Sequence, residues 1–155
     1  MPRRGKTIKR EVLPDARFGS LVVTQLINKT MMRGKKSVAE KIVYGSLDKI
    51  NADRKESIKI FDQAIKNVMP KNEVRSRRVG GATYQVPYPV KHDRAESLAL
   101  KWIIESARKK QGKEMTEFLK DEIMNAYNNM GDAIRKRDDV HKMAEANKAF
   151  SHLKL

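Results

Sequence analysis

The sequence predicts a mainly α single domain of about six helices, with one protruding β-hairpin inserted between the third and fourth helices. Three observations lead there. Apolar residues recur at steps of three and four through six separate stretches, the spacing that lines one face of an α-helix. Between the third and fourth stretches the pattern changes around Gly80-Gly81, a pair suited to the positive φ angles of a two-residue hairpin turn. The 155 residues contain no internal repeat, low-complexity stretch or Gly/Ser linker that would divide them, and that length can bury one core without metal or disulfide staples.

Residues 1–10 carry Arg3, Arg4, Lys6, Lys9 and Arg10 with no acid and almost nothing apolar. Such a segment cannot collapse onto a core alone, so residues 1–12 are expected to form a flexible basic arm. After Pro14 and Gly19, Ser20 is the expected N-cap of a first helix bearing Leu21, Val22, Leu26 and Ile27 and ending near Gly34. Ser37 and Glu40 have capping-box spacing for a second helix, whose start a turn earlier stays open. Its expected apolar face is Val38, Ile42, Val43, Leu47 and Ile50. Ser57 is the expected opening of a third helix that buries Ile58, Phe61, Ile65 and Val68, and Pro70 stops it.

The ribbon is expected over residues 73–89. Pairing Val79 with Ala82 sets Arg77 opposite Tyr84 and Arg75 opposite Val86 on one face, with Ser76, Arg78, Thr83 and Gln85 on the other. Neither face reads as apolar enough to be buried, and two strands alone are marginal in water, so the ribbon is expected to project and to gain order from a partner.

Asp93 and Glu96 have capping-box spacing for a fourth helix, with Leu98, Ala99, Trp102, Ile103 and Ala107 on one face and a stop near Gly112. Trp102 reads as a core anchor, not a base-stacking platform. The fifth helix carries Met115, Leu119, Ile123, Ala126 and Met130 up to Gly131; Asp132 is the expected cap of a sixth, running through Val140 and Ala144 toward Phe150.

Charge then narrows the function. Lys and Arg number 34 against 19 Asp and Glu, for a net +15. Residues 113–155 hold eight of each sign, so the whole surplus lies in residues 1–112. A compact chain so charged repels itself until a polyanion neutralises it, which makes nucleic acid the leading partner and gives the molecule a binding side. The absence of cysteine excludes disulfides and thiolate metal sites, and the longest apolar runs fall far short of a bilayer span, so no membrane partner and a cytoplasmic location are expected.

The cations gather in four clusters: the arm; Arg33, Lys35 and Lys36 between helices; Arg75, Arg77 and Arg78 on the ribbon; and Arg108, Lys109, Lys110 and Lys113 at a helix end. A solvated helical face spaces its charges by three or four and balances them with acids; unbalanced clusters on connections suit phosphates. Lys109 and Lys110 also complement a helix macrodipole. If about eight cations met phosphates, affinity would fall about a thousandfold or more between 50 and 200 mM salt. Double-helical RNA hides its base edges, so a rigid helical body with cations on its loops would read RNA shape more than sequence. Tyr84 and Tyr88 suit stacking on unpaired bases and packing at the ribbon root equally. Alanine at Arg75, Arg77 and Arg78 together is expected to weaken RNA binding and spare thermal stability.

Enzyme signals are poor. His92, His141 and His152 have no metal-ligand spacing and no accompanying nucleophile motif, so no cofactor is expected. Gly34-Lys35-Lys36-Ser37 lacks the upstream glycine and the hydroxyl residue of a phosphate loop. Asn28-Lys29-Thr30 matches a glycosylation acceptor but lies on a predicted helix. A nuclease would need an acidic or histidine constellation that is not found, and a DNA-binding module would need a recognition helix rich in Arg, Asn and Gln.

Four stretches carry a resemblance to a known family: SLVVTQLINKTMMRGKKSVAEKIVYGS over residues 20–46, EVRSRRVGGATYQVPYPV from Glu73, ALKWIIESARKK from Ala99 and DVHKMAEANKAFSH from Asp139. In order and across the chain they resemble the bacterial small-subunit ribosomal protein seven family. The resemblance implies six helices with an extended ribbon, early binding to the 3′ major domain of small-subunit ribosomal RNA, and nucleation of head assembly. It implies RNA contacts by the arm, Lys35, Lys36, Arg75, Arg77, Arg78, Lys109, Lys110, Lys113 and Met115. It further implies that the tip Val79, Gly80, Gly81 and Ala82 with Tyr84, and the last helix with Arg135, Lys142 and Lys148, lie beside exit-site tRNA and mRNA. Small-subunit ribosomal protein eleven and other head proteins are the implied protein neighbours. The sequence ends at Leu153-Lys154-Leu155, so the resemblance does not carry over contacts made by longer family tails.

Overall fold

A computed structural model describes residues 11–153. The elements run α1 (Leu21–Thr30), α2 (Lys36–Ile50), α3 (Arg54–Val68), β1 (Asn72–Val79), β2 (Ala82–Pro89), α4 (His92–Lys109), α5 (Met115–Tyr127) and α6 (Asp132–Ala146), closed by a 3-10 helix, Lys148–Leu153. The mainly helical architecture and the hairpin between the third and fourth helices are as the sequence predicts.

One core joins the helices. Leu26 and Ile27 of α1, Val43 and Leu47 of α2, Phe61 and Val68 of α3, Leu100 and Ile103 of α4 and Leu119 and Ile123 of α5 are fully or almost fully buried in a single cluster. Helix α5 packs against α2, α3 and α4. Trp102 is buried in this cluster, as an anchor should be.

The helix faces are rotated from the predicted ones at several points. Val23 is fully buried in α1 while Leu21 is exposed, and α1 stops at Thr30, short of Gly34. Ala39 replaces Val38 on the inward face of α2. Met130 lies past the end of α5 and is exposed. Periodicity alone leaves an amphipathic stripe free to rotate by one position, and the neighbouring helix decides.

The caps depart further. Ser20 makes no side-chain cap bond, and the capping-box pairs Ser37/Glu40 and Asp93/Glu96 lie inside helices whose first residues are Lys36 and His92. Helix α3 opens three residues before Ser57, with Asp53 accepting the Lys55 N–H. Ser57 is instead buried, and its hydroxyl donates to the Leu47 and Asn51 carbonyls at 2.8 and 2.9 Å, tying α3 to the end of α2. Asp132 is the first residue of α6 and Gly131 its cap.

The hairpin has the predicted register, Val79 with Ala82, Arg77 with Tyr84 and Arg75 with Val86. Gly80 and Gly81 adopt φ 56° and 90°, the paired left-handed conformation that a two-residue turn requires. Its root does not stand free, contrary to expectation. Val86 is fully buried, and the ribbon packs on α6 and on the 3-10 helix. The sequence missed this because the burying surface comes from the far end of the chain.

Candidate nucleic-acid interface

Arg3, Arg4, Lys6, Lys9 and Arg10 of the arm lie outside the described residues. The chain just after them is pinned to α2. Asp15 Oδ2 accepts the N–H groups of Arg17 and Phe18 at 3.0 Å each, and Oδ1 accepts the Tyr44 hydroxyl at 2.7 Å. That bond, with burial, pushes the Tyr44 hydroxyl up to about 12. Arg17 stacks over the Tyr44 ring at 5.1 Å and pairs with Asp48 at 2.8 Å.

Two of the loop clusters meet at one end of the body. Arg108 donates to the Thr30 carbonyl at 2.9 Å, so the end of α4 abuts the end of α1 and the exposed loop bearing Arg33, Lys35 and Lys36. Within this group the cations divide. Arg33, Lys35 and Lys109 are exposed and have no acidic partner among the described residues, while Lys36 faces Glu40 only at 3.8 Å. Lys113 reaches Asp121 at 3.8 Å. Lys110 turns inward, its Nζ 2.7 Å from Oε2 of the fully buried Glu122, whose Oε1 accepts the Ala133 N–H at 3.0 Å. Glu122 thereby joins the end of α4 to the start of α6, a role that periodicity could not reveal. Met115 is half-buried against the core.

On the ribbon Arg78 is exposed and makes no hydrogen bond or ion pair with a described residue, and the tip residues Val79, Gly80, Gly81 and Ala82 are exposed beside it. Arg77 donates to the Leu153 carbonyl, and Tyr84 packs on Phe150 with ring centroids 5.3 Å apart. Of the two roles open to Tyr84, it plays the packing one. Arg75 is held by Glu73, which also binds Arg94, a cation absent from the predicted clusters. His141 Nε2 accepts the Lys71 N–H at 2.9 Å and fixes the ribbon root to α6. Burial and then the charge of Arg137 lower its pKa, which keeps the acceptor neutral.

On α6, Arg135 sits 3.2 Å from Asp132 and Lys142 is exposed; Lys148, on the 3-10 helix, lies 3.1 Å from Glu145. Arg135 lines a cleft of about 340 Å³ with Lys109, Lys136 and Trp102 between α4 and α6, whereas Lys148 lies by the ribbon root near Asn72 and Pro87.

The chain matches, over residues 2–148, the family described as ribosomal protein S7p/S5e. It belongs to that family. Similar proteins include the small ribosomal subunit protein uS7 of Rhodopseudomonas palustris strain BisB5, 58% identical over 98% of both chains. Those of Rhodospirillum centenum and Carboxydothermus hydrogenoformans are 57% and 56% identical with the same coverage.

S7p/S5e members are structural ribosomal proteins, not enzymes, and RNA binding and translation follow from the family. The nuclease alternative falls with this membership. Among the described residues no group of three His, Asp or Glu side chains could hold a metal, and no helix is long and apolar enough to cross a membrane.

Proposed function

We propose that this S7p/S5e chain, a structural protein of the small ribosomal subunit, binds the 3′ major domain of its ribosomal RNA and helps to nucleate the head. The observation that carries the reading is the sorting of its cations. Arg33, Lys35, Lys109 and Arg78 stand on exposed turns or ends with no acidic partner among the described residues, and Lys36 meets only Glu40, at 3.8 Å, while buried Glu122 already has its cation. Such cations gain most by displacing counterions from a folded polyanion.

Arm residues Arg3, Arg4, Lys6, Lys9 and Arg10, together with Lys113 and Met115, extend the proposed RNA contact. Arg75 and Arg77 contribute the outer edges of guanidiniums that also bind protein. Arg108 and Lys110 act mainly by holding the basic end in shape, since each is tied inward. The tip Val79, Gly80, Gly81 and Ala82 with Tyr84, Arg135 and Lys142 on α6, and Lys148 on the 3-10 helix are proposed to face exit-site tRNA and mRNA. Small-subunit ribosomal protein eleven is the proposed protein neighbour of the C-terminal region.

Binding of the purified protein to a transcript of the head domain tests the reading. About six phosphate contacts would lower affinity about a thousandfold from 50 to 200 mM salt, and duplex DNA should compete poorly. A flat salt profile, or DNA competing as well as the transcript, would refute it.

A further inference from the structure

Glu73 is buried at the root of the ribbon, and two guanidiniums converge on it. Arg75 Nε donates to Oε1 at 2.7 Å, and Arg94 Nε donates to Oε1 and Oε2 at 3.0 and 2.8 Å. One carboxylate cannot neutralise two guanidiniums, so the cluster keeps a net positive charge. Burial pushes the Glu73 carboxyl up, but the Arg94 and Arg75 guanidiniums outweigh that and hold it below its ordinary value.

Both arginine side chains remain more than half exposed, at 55% and 54%. The Arg94 contacts run through Nε alone, so its two Nη groups have no partner among the described residues. Arg75 is fixed on a second side by the Tyr88 ring, 5.5 Å from its Cζ. Two forked donors are therefore held in place with outward-facing edges, one from the ribbon and one from the first turn of α4.

We propose that Arg75 and Arg94 form a clamp for a backbone phosphate of the bound RNA, and that Glu73 is the positioning residue that sets the clamp. The proposal rests on the RNA-binding reading and adds to it Arg94 and Glu73. A guanidinium matches phosphate oxygens bidentately, which an ammonium cannot do. A free arginine loses rotamer freedom when it binds, a loss equal to about tenfold in affinity; a carboxylate that has already ordered it removes that loss.

The sign of one substitution separates this from a cluster that only holds the fold. If Glu73 merely offset nearby charge, its removal beside a polyanion would strengthen binding. If it positions the arginines, removal weakens binding although the protein becomes more positive.

The test titrates a head-domain ribosomal RNA transcript with the full chain and with Glu73→Gln, Arg94→Ala and Arg94→Lys, across the salt range, with thermal midpoints measured alongside. Glu73→Gln should bind about tenfold more weakly. Arg94→Ala should lower the slope of log affinity on log salt by about one. Arg94→Lys should keep the slope but lose most of the affinity that alanine loses. Should Glu73→Gln unsettle the ribbon, Arg94→Lys carries the test, because it keeps the charge and lies on α4. Tighter binding by a folded Glu73→Gln, or wild-type affinity in Arg94→Lys, overturns the clamp and leaves the RNA reading standing. Failure of the wild type to bind the transcript at low salt overturns both.

Discussion

Glu122 and Glu73 are both buried carboxylates at a junction between elements, yet their surroundings differ in one respect. Glu122 meets one ammonium, Lys110, and one backbone N–H at the start of α6. Its charges balance, and the carboxylate is fully buried. Glu73 meets two guanidiniums, each half in water, and a positive charge is left over. A balanced buried pair can only hold the protein together, whereas an unbalanced one keeps a charge that a partner can use.

The sharpest way to break the comparison is Glu122→Ala. It strips α6 of a hydrogen bond at its start, leaves Lys110 without its partner and opens a cavity in a tightly packed region. The expected cost is about 3 kcal/mol, read from urea unfolding. A loss below about 0.5 kcal/mol, the range of ordinary surface substitutions, would mean that Glu122 is not a structural junction.

A smaller effect belongs to His141, whose neutral ring accepts the Lys71 N–H. Its folded pKa is lowered, by burial first and by Arg137 next, from an ordinary 6.5. The unfolded chain therefore takes up the proton first, so the contribution is fully present above about pH 6.5 and is lost as pH falls through the folded value. Thermal midpoints at about pH 7 and pH 5 should show an extra fall in the wild type that His141→Gln lacks. Equal falls in both would show that the bond does not hold the ribbon root.

The smallest stability effect is expected at Arg78. Alanine there should shift stability by no more than about 0.5 kcal/mol and lower the salt slope of RNA binding by about one. Equal stability loss in Arg78→Ala and Arg77→Ala would erase the division of the ribbon into free and anchored arginines. The triple alanine variant at Arg75, Arg77 and Arg78 is no longer expected to spare stability. Two of the three bind protein: Arg75 holds Glu73, and Arg77 donates to the Leu153 carbonyl.

Much of the exposed basic surface was legible because it depends on composition along the chain. The exposed cations at Arg33, Lys35, Lys36, Lys109 and Arg78 sit on turns and ends that Gly34, Gly112 and Gly80-Gly81 announce. What escaped was the packing of the other cations. Nothing near Lys110 in sequence names Glu122, and nothing near Glu73 names Arg94 as its second guanidinium; both contacts arrive through packing. Capping signals misled at Ser37, Asp93 and Ser57, because a serine can donate to a buried carbonyl, and a serine or aspartate can face open solvent, as readily as either opens a helix.

The sequence by itself determined the element order, the hairpin register and the stretch of chain that carries the surplus charge. These follow from local spacing: periods of two and of three to four, paired glycines, and a surplus of cations confined to residues 1–112. Only the tertiary structure decided which face of each helix turned inward, that residues 148–153 cover the ribbon root, and which arginines have no partner among the described residues. Those outcomes depend on contacts between residues far apart in the chain, and hydrophobic burial, being non-directional, does not record its partner in the local sequence.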